Sequence, residues 1–343
     1  MLNFNNFLLN SIRIKEMRIL VTGGSGFIGS NFLLRLQQSQ PNYKIINLDA
    51  EFYGSHPLNL QSIDKKNYQY VNGNICDKKL VKKLVSKCDI IVNFAAESFV
   101  DRSIVNAEPF IKSNILGVFN LLESIKEFKK QMIQISTDEV FGSLKSISAT
   151  EKSTFNPSSP YAASKSSGEM LVNSYHLTYN SDLIITRCTN NFGPRQFPEK
   201  LIPKVILLAD QNKPIPVYGN GKNIRDWLFV DDHCDAILKV INYGVSGESY
   251  NISGNNELDN LSIIKKILKK MKKSHDLIKF VDDRPGHDFR YSLNSNKIRN
   301  KLKWKPKIDF EKGLDITIDW YLKNKNWRNL IPQKTFNSMP WKK

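Results

Sequence analysis

A short strand-like segment of the sequence ends in a hydroxyl group and two adjacent carboxylates. Ile133 and Ile135 alternate with polar neighbours, and Thr137, Asp138 and Glu139 follow them directly. Two neighbouring acids repel each other and need solvation, so a solvated turn is the simplest interpretation of this stretch alone. Whether the pair does chemistry depends on what the rest of the chain places around it.

A tyrosine and a lysine four residues apart form a second candidate for chemistry. Tyr161 and Lys165 lie at the start of the helical pattern "SPYAASKSSGEMLVNSY". Their spacing places both side chains on one face of a helix. A free tyrosine has a pKa of about 10, but a nearby ammonium and a positively charged nicotinamide would both lower it. Such a tyrosine can take the proton of an alcohol while the alcohol is oxidised.

The element that would position a nicotinamide lies near the start of the chain, in "MRILVTGGSGFIGSNFLLRL". Gly23, Gly26 and Gly29 stand between a short apolar strand and a helical pattern. In that context the first glycine makes the tight turn, and the second lets the backbone approach a pyrophosphate. The third lets the helix pack closely on the strand. The segment therefore predicts a dinucleotide site at a helix N-terminus.

An acidic residue at the end of the second predicted strand indicates which dinucleotide binds. Asp49 closes "YKIINLD", twenty residues after Gly29. A carboxylate at this place accepts hydrogen bonds from the adenosine ribose hydroxyls and repels a 2′-phosphate. Glu51 adds negative charge and no arginine follows nearby, so NAD is predicted rather than NADP.

Strand-like and helical segments continue to alternate through the first half of the chain, with helices expected at 79–86 and 110–128. This order predicts an α/β fold, a Rossmann-type doubly wound parallel sheet with right-handed crossovers. Ligands of such sheets lie beyond the carboxyl ends of the strands, where Asn74 and Ile75, the segment 94–98 and the acidic pair would fall. The pair is therefore expected to face a ligand cleft rather than bulk solvent.

Composition limits the remaining possibilities. The 343 residues carry a net charge of +17, but the densest lysine group, "IIKKILKKMKKSH", alternates with apolar residues at helical spacing. We interpret it as a solvated helix face and expect no nucleic-acid partner. No apolar run is long enough to span a bilayer, and the four scattered cysteines have neither metal-ligand spacing nor a disulfide pattern. A cytoplasmic protein without a membrane contact or a metal site is predicted.

The chain resembles the extended short-chain dehydrogenase/reductase family, and within it the dTDP-glucose 4,6-dehydratases. The resemblance rests on "TGGSGFIG", "NFAAESFVDRSI", "ISTDEVFG", "SPYAASK", "NNFGPRQFPEKLIP", "YGNGKNIRDWLFVDDH" and "DDRPGHDFRYSLN", which follow one another in family order. Relatives that only epimerise or reduce lack the acidic pair. Two departures are a segment "AEFYGSHPLNL" where the family usually has "KLTYAGN", and Phe141 in place of a tyrosine.

The resemblance implies an activity in which every one of these candidate groups has a task. Tyr161, supported by Lys165, would accept the proton of the glucosyl C4 hydroxyl while NAD takes the C4 hydride, and Thr137 would bind the C4 oxygen. Glu139 would then remove the C5 proton, and protonated Asp138 would donate a proton to the departing C6 hydroxyl. The hydride would return to C6. Two acids with opposite protonation tasks are what this elimination needs.

The resemblance also implies a set of binding residues. Those implied for NAD are Gly23, Gly26, Phe27, Ile28, Gly29, Asp49, Asn74, Ile75, Phe94, Ala95, Ala96, Ser113, Tyr161, Lys165 and Asn191. Those implied for the substrate are Ser98, Thr137, Asn190, Lys200, Leu201, Pro216, Val217, Tyr218, Arg225, Asn260, Arg284 and His287. Arg225 and Arg284 suit a diphosphate, because a guanidinium group pairs with phosphate oxygens through two hydrogen bonds.

Three units are expected along the chain. Residues 1–16 would be a non-essential extension, 17–186 the NAD-binding domain, and 187–343 mainly a smaller α/β lobe for the sugar nucleotide. Part of 225–250 would return to the Rossmann sheet. The resemblance implies a homodimer in which the helices at Phe110–Phe128 and Tyr161–Tyr179 form a four-helix bundle. Candidate bundle residues are Ile115, Phe119, Leu122 and Leu171.

Two alternatives to the dTDP-glucose dehydratase remain open at this level. One is another enzyme of the same fold, either a UDP-glucose 4,6-dehydratase or a nucleotide-sugar epimerase or decarboxylase. The other is a binding module without catalysis that senses NAD or binds RNA through its basic surface. The acidic pair argues against an epimerase. The combined presence of Thr137, Asp138, Glu139, Tyr161 and Lys165 argues against a module that only binds.

Overall fold

The structure, a computed structural model, describes residues 17–336 and 341. The predicted extension at residues 1–16 lies outside this range. The strands are β1 (Arg18–Thr22), β2 (Lys44–Asp49), β3 (Tyr68–Asn72), β4 (Ile90–Asn93), β5 (Gln131–Thr137), β6 (Leu183–Cys188), β7 (Asn190–Phe192), β8 (Ile215–Tyr218), β9 (Ile224–Phe229), β10 (Ser249–Ile252), β11 (Glu257–Asp259) and β12 (Ile278–Val281).

Helices connect most of these strands. The α-helices are α1 (Phe27–Ser39), α2 (Lys78–Val85), α3 (Val100–Val105), α4 (Glu108–Ile111), α5 (Val118–Phe128), α6 (Pro160–Tyr179), α7 (Leu201–Asp210), α8 (Val230–Tyr243), α9 (Asn260–Lys270), α10 (Asn296–Leu302), α11 (Phe310–Lys323) and α12 (Lys325–Asn329). A π-helical segment covers Lys112–Gly117, and 3₁₀ turns cover Asp138–Phe141, His275–Leu277 and Gln333–Phe336.

The larger sheet has seven strands in the order β10-β6-β5-β4-β1-β2-β3. Every pairing in it is parallel. The strand order reverses between β1 and β4, and this reversal opens a crevice at the carboxyl edge of the sheet, the usual ligand position in doubly wound folds. The predicted fold class is confirmed.

Apolar residues on alternating strand positions bury both faces of this sheet. Ile19 and Val21 of β1 belong to the core under α1 and α8, whereas Leu20 between them belongs to the core under α2, α5 and α6. Because a strand points successive side chains to opposite faces, a continuous apolar run is what a sheet covered on both sides requires. The sheet is thus a rigid base for the residues at its carboxyl edge.

A smaller lobe covers the crevice. It contains the three-stranded sheet β11-β9-β7 and the pair β12-β8, packed on α7, α9 and α11. The first part of the lysine-rich segment lies in α9, whose Ile263, Ile264, Ile267 and Leu268 are buried, so its predicted helical spacing is confirmed up to Lys270. From this lobe the chain returns to the larger sheet, where α8 contacts α1 and β10 pairs with β6.

The helix predicted over Phe110–Phe128 is interrupted. The π-helical segment at Lys112–Gly117 inserts a wider turn between α4 and α5. Within it, Asn114 accepts a hydrogen bond from the Glu97 backbone amide and donates to the Ser164 hydroxyl (3.0 and 2.9 Å). Side-chain bonds of this kind do not show in apolar periodicity, which is why the sequence predicted one regular helix.

No helix in the described ranges, 17–336 and residue 341, is long and apolar enough to cross a membrane.

Candidate active site

Two adjoining cavities lie between the carboxyl edge of the large sheet and the smaller lobe. The predicted cofactor residues all line the first cavity, together with Ser98, Thr137, Asp138, Glu139, Asn190 and Lys200. The second is lined by Leu201, Pro216, Val217, Tyr218, Arg225, Asn260, Arg284 and His287, and it shares Glu139, Asn190, Asn191 and Lys200 with the first. Residues that are far apart in sequence are therefore brought together, with Glu139 where the two cavities meet.

The glycine-rich turn between β1 and α1 forms the floor of the first cavity. Gly23 has a φ of +71°, and a side chain there would meet the backbone of Ala95 at 2.6 Å. A Cβ on Gly29 would lie 2.3 Å from the Gly23 carbonyl oxygen, so the turn and the helix need this glycine to pack. A Cβ on Gly26 would have only that same oxygen nearby, at 3.3 Å. The surface above Gly26 is open to a pyrophosphate at the helix N-terminus.

The carboxylate of Asp49 is held at the end of β2 by backbone amides. One oxygen accepts from the Ser25 amide at 2.8 Å and the other from the Glu51 amide at 2.7 Å. Burial nevertheless raises the pKa of Asp49, because desolvation opposes its charge more than these two bonds favour it. A ribose diol would supply further hydrogen bonds to the same oxygens, so the geometry fits the adenosine side of NAD.

Asp138 is enclosed by protein at the start of the 3₁₀ turn after β5. Only 4% of its surface is exposed, and Thr137 Oγ1 donates to its Oδ1 at 3.1 Å. Its Oδ2 is buried without a hydrogen-bond partner among the described residues. Burial, and then the charge of Glu139, raise the pKa of Asp138 well above its usual value. The stretch is not a solvated turn, and Asp138 is suited to hold a proton.

The raised pKa of Asp138 gives a stability prediction. The folded protein binds this proton more tightly than the unfolded chain, so ionisation of Asp138 destabilises the fold as pH rises above about 4. Asp138→Asn removes this penalty, so its melting temperature should rise relative to that of wild type as pH increases from about 4 through neutral pH. Asp319→Asn, at an exposed helix position, is the control. If the difference in melting temperature between Asp138→Asn and wild type stays constant over this pH range, the raised pKa of Asp138 is contradicted.

Tyr161 and Lys165 lie in the first turns of α6, which is capped by Ser159 through the Ala162 amide (3.1 Å). The Lys165 ammonium donates to the Ile135 carbonyl at 2.7 Å, and burial lowers its pKa to about 8. The pKa of Tyr161 is well above its usual value because of burial and then the charge of Glu139. In the protein alone the pKa of Tyr161 is therefore not lowered, and the lowering expected with a nicotinamide bound stays a prediction. The positive charge of a nicotinamide is what would offset the burial.

Two arginines, Arg225 and Arg284, line the second cavity. Arg225 is buried and donates to the carbonyls of Ile224 (2.7 Å) and Asp288 (3.0 Å), while Arg284 donates to Asp101 Oδ1 at 2.9 Å. Nε of Arg284 is buried with no partner in the part of the chain that the structure describes. A buried guanidinium group with a free donor, as in Arg284, is suited to bind phosphate oxygens. This arrangement fits a diphosphate.

His287 adds no positive charge to this cavity at neutral pH. Burial first, and then the charges of Arg284 and Arg225, lower the pKa of His287 to about 4. Its Nδ1 lies 2.6 Å from Asp283 Oδ1. A neutral imidazole can act as a hydrogen-bond partner for a ligand but not as a counter-charge.

Other lining residues of the second cavity that the sequence did not indicate include Asp101, Lys204 and Tyr291. Asp101 pairs with Arg284 across 183 positions, and no local pattern could show that contact. Lys204 is only 8% exposed and stands one helical turn after Lys200, a spacing that could have identified it. Tyr291 lies inside the quoted "DDRPGHDFRYSLN" segment, but nothing in that segment showed which side chains face the cavity.

Comparison with known proteins agrees with this geometry. The sequence matches the family model described as GDP-mannose 4,6 dehydratase over residues 20–317. A dTDP-glucose 4,6-dehydratase from Streptomyces niveus is 45% identical over 317 residues, which cover 91% of this chain and 94% of the relative. The chain belongs to the dTDP-glucose 4,6-dehydratase family. The resemblance inferred from the motifs is confirmed.

Solved structures of this family share the fold. The dTDP-glucose 4,6-dehydratase of Bacillus anthracis, in complex with NAD, is 45% identical, with a TM-score of 0.85 over 91% of this chain and 98% of that chain. The family member from Streptomyces venezuelae, with NAD and a second ligand bound, is 41% identical, with a TM-score of 0.89 over 91% and 98%.

The segment that departs from the usual dehydratase sequence supports the glycine-rich turn. Asn59 donates to the Ser25 carbonyl at 2.9 Å and accepts from the Trp327 indole at 2.8 Å. The imidazole of His56 stacks on the same indole, with ring centres 4.3 Å apart. The altered loop is thus packed between the cofactor cavity and α12.

Proposed function

We propose that this protein converts dTDP-glucose to dTDP-4-dehydro-6-deoxy-glucose and water, with NAD as cofactor. The observation that carries the proposal is the buried, partly unpartnered Asp138 beside Glu139, in one cavity with Tyr161 and Lys165. The shared identity with dTDP-glucose 4,6-dehydratases supports the same conclusion. NAD bound over the glycine-rich turn supplies the acceptor for the C4 hydride and its donor to C6.

The side chains of the protein handle the protons. Tyr161 takes the proton of the C4 hydroxyl, and the buried ammonium of Lys165 supplies positive charge on the same helix. The resulting C4 ketone acidifies the C5 hydrogen, which Glu139 removes. Asp138, whose proton is held by burial, protonates the C6 hydroxyl as it leaves as water. Thr137 holds Asp138 through a hydrogen bond, and its proposed task in the reaction is to bind the C4 oxygen.

The same geometry disfavours the alternatives. An epimerase needs a base for the C4 hydroxyl but no pair of adjacent acids, and burying an acid with one unpartnered oxygen is costly. A module that only binds NAD or RNA would gain nothing from Asp138 in that environment. We therefore assign the lyase reaction. The cytoplasmic location and the absence of nucleic-acid, membrane and metal partners stay predictions from the sequence.

The assay that tests the assignment is incubation of the purified protein with NAD and dTDP-glucose. The 4-keto sugar is then read by its absorbance in alkali, with Asp138→Asn as the matched inactive variant. We expect the absorbance to appear with wild type and to be strongly reduced with the variant. No absorbance with wild-type protein would overturn the proposal.

The proposal also specifies the nucleotide of the substrate, dTDP rather than UDP. Pro216, Val217 and Tyr218 of β8 line the second cavity beside the apolar Ile264. A methyl group in an apolar pocket contributes about 1–3 kcal/mol, so dTDP-glucose should exceed UDP-glucose in kcat/KM by at least about tenfold. A competition assay with both substrates measures the ratio. Equal or reversed preference would make the protein a UDP-glucose 4,6-dehydratase with the same mechanism.

We also propose that residues 17–186 form the NAD-binding domain, and that 187–343 mainly form the sugar-nucleotide lobe. The support is the distribution of the cavities. The glycine-rich turn, the acidic pair and Tyr161 precede residue 187, whereas Arg225, Arg284 and the segment 216–218 follow it.

The protein is further proposed to be a homodimer. Adjacent helical segments expose Ile111, Leu116, Met170 and Leu177, which are 46–82% exposed and could pack on a second copy. Of the predicted bundle residues, Leu122 lies in the core against the sheet instead. Light scattering at micromolar concentration should give a dimer mass. Met170→Lys should shift it toward the monomer, whereas Ile147→Lys at another exposed position should not. A monomeric wild type would reject the dimer.

A further inference from the structure

The carboxylate of Glu139 has a close neighbour that the proposed reaction does not use. The hydroxyl oxygen of Tyr291 lies 3.3 Å from Glu139 Oε2 and 2.6 Å from Asp288 Oδ2. A tyrosine hydroxyl has a single proton, so it can donate to only one of these carboxylates at a time. While it donates to Asp288, its oxygen is free to accept a proton from a protonated Glu139.

Tyr291 is fixed in this place. Its side chain is 3% exposed, and the guanidinium of Arg225 lies over its ring, 4.2 Å from the ring centre. Burial and the charge of Glu139 raise the pKa of Tyr291 well above its usual value. The hydroxyl therefore keeps a proton at neutral pH and can pass one on only by receiving another.

Ser158 extends this chain of hydrogen bonds from Asp288 to the protein surface. The Ser158 hydroxyl donates to the same Asp288 oxygen that Tyr291 contacts. Asp288 is buried, whereas Ser158 is exposed in the loop that precedes α6. Glu139, Tyr291, Asp288 and Ser158 thus form a continuous line of polar groups from the cavity to solvent.

We propose that Tyr291 and Asp288, with Ser158 at the surface, form a path that exchanges the proton held by Glu139 with water. This inference rests on the proposed role of Glu139 as the base at C5. A substrate that fills the cavity displaces water from Glu139, so exchange at that stage needs a route through the protein. Through this path C5 can receive a solvent proton while substrate fills the cavity.

The proton transfers balance in each direction. Protonated Glu139 gives its proton to the Tyr291 oxygen as the Tyr291 O–H gives its own to the Asp288 carboxylate. Glu139 is then ionised and Asp288 protonated, with no net change of charge. Asp288 exchanges its proton with water at Ser158, and the reverse transfers bring a solvent proton back to Glu139. Tyr291, although it lines the second cavity, acts in this scheme only through Glu139.

The test is turnover of unlabelled dTDP-glucose in D₂O, with deuterium at C5 of the product measured by mass spectrometry or NMR. Wild type should place solvent deuterium at C5. Tyr291→Phe keeps the ring under Arg225 but removes the hydroxyl, so most product should retain the substrate hydrogen at C5. Asp288→Asn cannot take up the proton, so its product should also retain the substrate hydrogen at C5. If one of the two variants fails to fold, the other still tests the path.

The matched control is Tyr175→Phe, which removes a 2.6 Å tyrosine–carboxylate hydrogen bond to Glu123 far from the cavities. It should incorporate deuterium as wild type does. If Tyr291→Phe and Asp288→Asn also carry as much deuterium as wild type, the path is overturned while the proposed reaction stands. If wild type forms no 4-keto product at all, the proposed function fails before the path is tested.

Discussion

Tyr161→Phe is expected to lower kcat by about 10²- to 10⁴-fold, the usual contribution of a positioned acid or base. Without the phenol oxygen the C4 hydroxyl has no proton acceptor, so the reaction should stop before the sugar is oxidised. A single-turnover experiment should then show little reduced cofactor by its absorbance.

The substitution leaves the surrounding packing intact. The ring of Tyr161 meets Phe110 edge-to-face, with ring centres 6.2 Å apart, and phenylalanine retains that contact. The melting temperature should therefore stay close to that of wild type. Wild-type turnover by Tyr161→Phe would show that another group removes the proton.

Glu139→Gln should stop the reaction one step later, again with a loss of about 10²- to 10⁴-fold in kcat. The amide has the shape of the carboxylate but cannot take the C5 proton. Oxidation at C4 still proceeds through Tyr161, so reduced cofactor should accumulate on the enzyme in a single turnover.

The difference in reduced cofactor between these two variants is more informative than the loss of kcat in either one. Tyr161→Phe should show little reduced cofactor, and Glu139→Gln should show it in near-stoichiometric amount with the enzyme. If both variants stop before any reduced cofactor appears, the division of tasks between Tyr161 and Glu139 is wrong.

Local signals predicted much of the site. The glycine turn, Asp49 and the tyrosine–lysine spacing each depend on a few neighbouring residues, and the alternation of strands and helices predicted which strand ends would converge. Their positions at one carboxyl edge follow from the parallel sheet, because all its strands end on the same side.

Other features depend on contacts that sequence spacing does not encode. The pKa of Tyr161 is set by burial and by Glu139, so its direction required the folded structure. The pair between Asp101 and Arg284, and the packing of His56 on Trp327, join distant parts of the chain. The π-helical segment in the predicted helix 110–128 likewise depends on where Asn114 finds its partners.

In the proposed reaction, the hydride removed from C4 returns to C6 of the same sugar. dTDP-glucose carrying deuterium at C4 tests it directly, by NMR of the product formed by wild-type protein with NAD. The label should appear in the C6 methyl group, with many turnovers for each bound NAD and no net formation of the reduced cofactor. Loss of the label to solvent, or reduced cofactor formed in proportion to substrate, would contradict the account.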